Sequence, residues 1–161
     1  YLPYAWQISG FDYLGGLESF RSGEFSVQDI SSMLVGETAD PQTNDYVIDV
    51  CAAPGGKSIH VAEKLGGSGH VEARDLTPYK VGMIEENIER TGLLNIEAVC
   101  QDALVYDEES REKADIVIAD LPCSGLGVLG KKTDLKYKAT KQGAAELAQM
   151  QRRCWTLSAG M

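Results

Sequence analysis

Two short runs of this 161-residue chain bring together residue types that can do chemistry: Asp49–Ser58, DVCAAPGGKS, and Asp120–Gly127, DLPCSGLG. In the first, Ala-Ala-Pro-Gly-Gly forms a turn in which Gly55 and Gly56 present no Cβ, so backbone can approach a ligand closely. A helix beginning near Lys57 aims its free N–H groups and its dipole at an anionic group. Cys51, Ala52, Ala53, Pro54, Gly55, Gly56 and Lys57 are thus the candidate binding loop. Two phosphate-loop readings fail on spacing. The dinucleotide fingerprint G-x-G-x-x-G is absent, and Gly56-Lys57-Ser58 would end a P-loop only if Gly stood at position 51, where the chain has Cys51.

The elements that must position these runs alternate regularly from Asp45 onward. Tyr46–Val50 is a short β-branched strand, followed by the Gly-rich turn and a helix from about Lys57 to Leu65. Gly69–Arg74 reads as a strand, Tyr79–Thr91 as a helix ending at Gly92, and Ile96–Cys100 as a third strand. Ala114–Ala119 is a nearly continuous apolar run, as expected of a strand buried on both faces. A long loop and a last helix, Thr140–Ser158, close the chain. Upstream, Glu24–Val27 reads as a short strand and Gln28–Val35 as a helix start. Strand–helix alternation at this spacing implies an α/β fold with a doubly wound, mainly parallel sheet. The polar stretch Gly36–Asn44 divides a lead-in (1–44) from the ligand-binding domain (45–161).

In such sheets ligands bind beyond the carboxyl ends of the strands. Asp75 follows the second strand, where an acid can accept hydrogen bonds from both ribose hydroxyls. An NAD enzyme remains open on that feature alone. Asp102 follows the third strand, within reach of an adenine edge, and Asp120 closes the fourth. One Asp at a strand end is commonly a cap or a solvated loop residue. Three at successive ends beside a Gly-Gly turn form a constellation.

With ADLPCSGLG in place the likeness becomes specific. DVCAAPGGKS, ADLPCSGLG and the upstream GEFSVQDISSML (Gly23–Leu34) resemble the RsmB (Sun/Fmu) family of 16S ribosomal-RNA cytosine-5 methyltransferases, from about Phe20 to the end of the chain. The resemblance implies a Rossmann-like class I methyltransferase fold, S-adenosyl-L-methionine as cofactor, and ribosomal RNA as partner. It implies that 51–57 form the cofactor loop, that Asp75 holds the ribose, that Asp102 lies by the adenine, and that Asp120 faces the methyl donor and target base. Pro122 and Cys123 would line the base pocket. In this chemistry a cysteine thiolate adds to C6 of cytosine, which lets C5 attack the methyl group; loss of the C5 proton and of the thiolate restores aromaticity. The family's nucleophile stands in a Thr-Cys pair, and its Pro-Cys cysteine, here Cys123, assists release. The 161 residues contain no Thr-Cys pair. The expectation is a catalytic domain truncated after the fourth core strand and its helix, inactive by itself. No role attaches to Gln28-Asp29 beyond packing on the substrate side.

Charge points the same way. The net charge is −9, yet residues 121–161 carry seven cations against two anions, a net +5, while the first 120 residues hold 8 cations and 22 anions, a net −14. Such asymmetry suggests a polyanion-facing surface, with a solvated basic face as the plain alternative. Lys131, Lys132, Lys136 and Lys138 lie in a segment resembling the family's basic loop and are the candidate RNA contacts. The four cysteines form no C-x-x-C pair and the two histidines stand ten apart, which predicts no metal site. Reduced thiols, no signal-peptide pattern and no apolar run near the roughly 20 residues of a membrane span fit a cytoplasmic protein. Two competitors stay in view. A tRNA or DNA cytosine-5 methyltransferase could use Cys123 itself as nucleophile, and a non-catalytic nucleotide-binding module would leave that thiol unreactive.

Overall fold

The structure, a computed structural model, describes residues 2–125, 127 and 140–161. In chain order its regular elements are α1 (Glu18–Arg21), α2 (Ile30–Ala39), β1 (Tyr46–Asp49), α3 (Gly56–Lys64), β2 (His70–Asp75), α4 (Pro78–Thr91), β3 (Ile96–Cys100), β4 (Ile116–Ile118) and α5 (Lys141–Ser158), with 3-10 turns at Leu14–Gly16 and Glu108–Ser110. Glu24–Val27 joins no strand. The expected helix start at Gln28 moves to Ile30, with Asp29 at its N-cap.

The strands form one parallel sheet in the order β3-β2-β1-β4. The chain therefore steps outward from β1 through β2 to β3, then crosses back to lay β4 on the other side of β1. This reversal opens a crevice between the carboxyl ends of β1 and β4, where doubly wound sheets place ligands. The strand alternation explains the two-sided core. Val47, Val71, Ala73, Ile96 and Ile118 face Ile59, Val61 and Ala62 of α3 and Ile84 of α4. Ile48 and Val50 point to the opposite face, against Met161, Ala114 and Val117. Val47 and Ile48 are both 0% exposed, so β1 is covered on both sides, as its β-branched run requires.

The second face of β2 is polar. Arg74, 3% exposed, donates from Nε to Glu72 Oε1 at 2.6 Å, from Nη1 to Asp107 Oδ2 at 3.0 Å and from Nη2 to Ser110 Oγ at 2.6 Å, tying β2 to the second 3-10 turn. The Ser110 hydroxyl, with help from the Arg74 guanidinium, holds the Asp107 carboxyl down to about 2. Helix ends follow local rules. Thr77 and Thr140 cap α4 and α5 through their hydroxyls, Pro78 opens α4, and Gly92 closes it at φ 68°. The lead-in packs on the sheet domain through α2, whose Glu37 accepts from Lys64 Nζ at 2.7 Å, through Tyr4, whose Oη lies 3.1 Å from His60 Nε2, and through the segment beside Arg90. Tyr4 Oη–H donates to Glu37 Oε1 at 2.7 Å, and Arg90 donates to the carbonyls of Phe20 and Phe25 with its guanidinium 4.3 Å from the Phe20 ring centre.

Candidate cofactor and base site at the β1–β4 crevice

The loop after β1 is held from below, from the side and from across the crevice. Below it, Asp49 is 1% exposed; Ser58 Oγ–H donates to its Oδ2 at 2.7 Å and the Cys51 N–H to its Oδ1 at 3.3 Å. Burial pushes the Asp49 carboxyl up to about 6, against the pull of these donors. At the side, the Ala52 N–H reaches Arg74 O at 2.8 Å and the Ala53 N–H reaches Asp75 Oδ2 at 3.1 Å. Asn87 Nδ2 donates to Pro54 O at 3.1 Å. Across the crevice, Lys57 Nζ meets Asp120 Oδ2 at 2.6 Å, joining the first turn of α3 to the end of β4.

The two glycines have different reasons. Gly55 sits at φ 101°, and a Cβ there would come 3.3 Å from Ile84 Cγ2, so backbone conformation and contact with α4 both call for glycine. Gly56 is the open position; a Cβ there would meet only Gln28, at 3.7 Å. Gly55 also leaves α3 without a side-chain cap.

Of the acids, Asp75 is 3% exposed, and its Oδ1 accepts from the Leu76 N–H at 2.8 Å and from Lys80 Nζ at 2.9 Å. With the Ala53 bond, three of the four lone-pair sites of the carboxylate have protein donors, and Oδ2 keeps one for a further donor. The Gln101 N–H donates to Asp75 O at 3.0 Å, setting the end of β3 beside that of β2. Asp102 is half-buried, and its Oδ1 accepts from the Leu104 N–H at 2.8 Å. Its charge acts on the Cys154 thiol; Cys51 in turn feels both Cys154 and Asp75. Asp120 is the exposed acid, its side chain 58% accessible. Two grooves meet at it. One of about 470 Å³ runs between Leu34 and Val35 of α2 and the edge of β4. The other, of about 570 Å³, runs from Leu121 to Gln151, Arg152 and Trp155 of α5.

Pro122 and Cys123 follow on the exposed side, where Gln151 Nε2 donates to Pro122 O at 2.7 Å. Burial pushes the Cys51 thiol up to about 12 and raises that of Cys154 as well, so both are held protonated and unreactive. Lys131, Lys132, Lys136 and Lys138 lie outside the described residues. Among the described residues no three His, Cys, Asp or Glu side chains cluster as metal ligands, and no helix is long and apolar enough to cross a membrane. The sequence reading missed Asp49, Lys80 and the Lys57–Asp120 pair. Asp49 stood inside the quoted motif, and the apolar strand in front of it was the one available signal of its burial.

Residues 37–159 match the family described as 16S rRNA methyltransferase RsmB/F. The chain belongs to this family. Similar relatives include the probable ribosomal RNA small subunit methyltransferase B of Bacillus subtilis, 43% identical over 86% of this chain and 31% of the relative. The tRNA (cytosine(72)-C(5))-methyltransferase of Pyrococcus horikoshii is 37% identical over 73% of this chain and 30% of its own length. Among solved structures, that of NSun6 from Pyrococcus horikoshii with SFG superposes with a TM-score of 0.82 at 31% identity, covering 92% of this chain and 38% of that one. The chain thus spans roughly a third of these relatives. The RsmB/F match agrees with the expected Rossmann-like α/β fold, and it settles the family against a dinucleotide enzyme or an NTPase.

Proposed function

We propose that this chain binds S-adenosyl-L-methionine in the β1–β4 crevice and serves the methylation of C5 of a cytosine in RNA, with ribosomal RNA as the first candidate. The observation that carries the reading is the Lys57–Asp120 pair at 2.6 Å. It joins the Pro54–Lys57 loop to the strand that leads into Pro122-Cys123, and so supports reading the loop and the motif as parts of one site.

The residues present suit the cofactor chemically. Asp75 is a nearly buried carboxylate whose Oδ2 keeps a lone pair for a ribose hydroxyl. The start of α3, with no side chain on its N-cap Gly55 and no Cβ at Gly56, leaves first-turn N–H groups that suit a carboxylate. Asp102, half-buried beyond β3, suits an adenine edge. Bound there, the cofactor supplies the methyl group. Asp120 and Lys57 offer an acceptor and a donor side by side, complementary to the exocyclic amine and ring acceptors of cytosine. Cys123, exposed at the crevice mouth, assists release of the methylated base. Lys131, Lys132, Lys136 and Lys138, with Arg152 and Arg153, contact RNA phosphates. The four free cysteines fit a reducing, cytoplasmic setting. A tRNA substrate is the second reading, favoured by the 37% identity to the Pyrococcus tRNA enzyme.

Calorimetric titration of the chain with S-adenosylhomocysteine tests the cofactor. Binding with a dissociation constant on the order of micromolar to millimolar is expected, without competition from NAD or ATP. No heat with the nucleoside, or equal binding of NAD, would end the proposal. Filter binding with small-subunit ribosomal RNA against tRNA then separates the two substrate readings.

A further inference from the structure

Gln28 opens the lead-in to α2 in the Gln28-Asp29 pair, which the reading above leaves without a role. Its Nε2 is sealed from solvent and has no hydrogen-bond partner among the described residues. The carboxamide abuts the first residue of α3: a Cβ on Gly56 would lie 3.7 Å from Nε2 and 3.8 Å from Cγ. Two incomplete groups therefore meet. One is a buried amide end without a partner; the other is a helix start whose N-cap, Gly55, has no side chain to accept from the first-turn N–H groups, whereas Thr77 and Thr140 do this for α4 and α5. A carboxamide is nearly symmetric in shape, and turning it end for end puts its oxygen in the inner place. In that orientation the buried end of the amide is an acceptor beside a helix start that offers N–H donors.

We propose that Gln28 is a positioning residue for the Pro54–Lys57 loop: its Oε1 caps α3 from outside the helix, accepting from a first-turn N–H, and so fixes the turn that holds the cofactor. The cap and the loop belong to different segments of the chain, so cofactor affinity depends on how α2 is seated. This inference rests on the cofactor reading above for its consequence, though not for its geometry.

Three measurements on the 161-residue chain decide it, using Gln28→Met, which keeps the length and loses the acceptor, and Gln28→Glu, which keeps the acceptor and suits the helix dipole. The Met variant is expected to lose about five- to tenfold in S-adenosylhomocysteine affinity at a temperature well below its melting point, and amide exchange at Gly56–Ser58 should quicken. The Glu variant should hold both within about twofold of wild type. Wild-type affinity in the Met variant would reduce Gln28 to packing. Equal loss in Glu and Met would show that the N–H end matters, and the cap would be wrong. If the wild-type chain fails to bind the nucleoside at all, the cofactor reading falls, and amide exchange in the two variants still judges the cap.

Discussion

Asp75 shows how much a single carboxylate does here. It anchors Ala53 of the loop, pairs with Lys80 and keeps one lone pair on Oδ2, so on the proposed cofactor reading its removal acts on both loop and ligand. Asp75→Ala should weaken S-adenosylhomocysteine binding by about 1–3 kcal/mol, the worth of a charged hydrogen bond; calorimetry returning the wild-type constant would remove Asp75 from the site. Asp49 works through protons. Its carboxyl holds a proton to about pH 6 in the folded chain, whereas an unfolded Asp releases it near pH 4. Between those values the folded state binds the extra proton, so the stability this group contributes is complete below about pH 4 and lost above about pH 6. Asn keeps both polar contacts without the charge. Asp49→Asn should match wild type in urea denaturation near pH 4 and exceed it near pH 7, by on the order of 1–3 kcal/mol; a difference constant across pH would mean that Asp49 does not titrate in this range. At this scale the residue types were legible and their partners were not. Lys57 and Asp120 are 63 positions apart, and only the crossing from β3 back to β1 makes them neighbours.

Elements were legible where local chemistry decides them. Gly92 and Thr140 carry their end signals in their own side chains or lack of one, and β3 spans Ile96–Cys100 as the β-branched pattern indicates. Glu24–Val27 has strand-like composition without a strand to pair with, and β4 keeps three residues of its six-residue apolar run because only Ile116–Ile118 run beside β1. The seat of α2 on α3 was hidden for a similar reason. Gly36 looks like a weakness in a helix, where Ala is better by about 1 kcal/mol. Yet a Cβ there would stand 2.7 Å from His60 Nδ1, in a ring 7% exposed and packed against Tyr4 at 5.6 Å. Gly36→Ala should therefore destabilise by about 1–3 kcal/mol. The penalty should vanish in a His60→Ala background, as a double-mutant cycle of thermal melts would show; a penalty that survives the second substitution would place the clash elsewhere.

Across the whole molecule, charge is sorted along the chain: a net −14 through residue 120 and +5 beyond it. The last helix carries Arg152 into the groove that ends at Asp120, and Arg153 beside it donates to Leu104 O at 3.4 Å. If this end meets RNA phosphates, affinity for a single-stranded oligonucleotide should fall with salt, and replacing either arginine by Ala should flatten the log–log slope by about 0.7. An unchanged slope would take α5 off the phosphate path. Composition had hinted at this polarity; the placement of Arg152 beside the crevice needed the fold.

The internal pairing of the rim acids has a consequence of its own. Asp75 and Asp120 each arrive with an ammonium group in hand, Lys80 and Lys57 respectively. An incoming cation finds their fields largely cancelled and must trade against those lysines for every attraction it gains. On the cofactor reading, a nucleoside bearing a sulfonium charge and the thioether left without it should then be held with similar strength, and supply and clearance, rather than electrostatic expulsion, would set the pace at which one replaces the other.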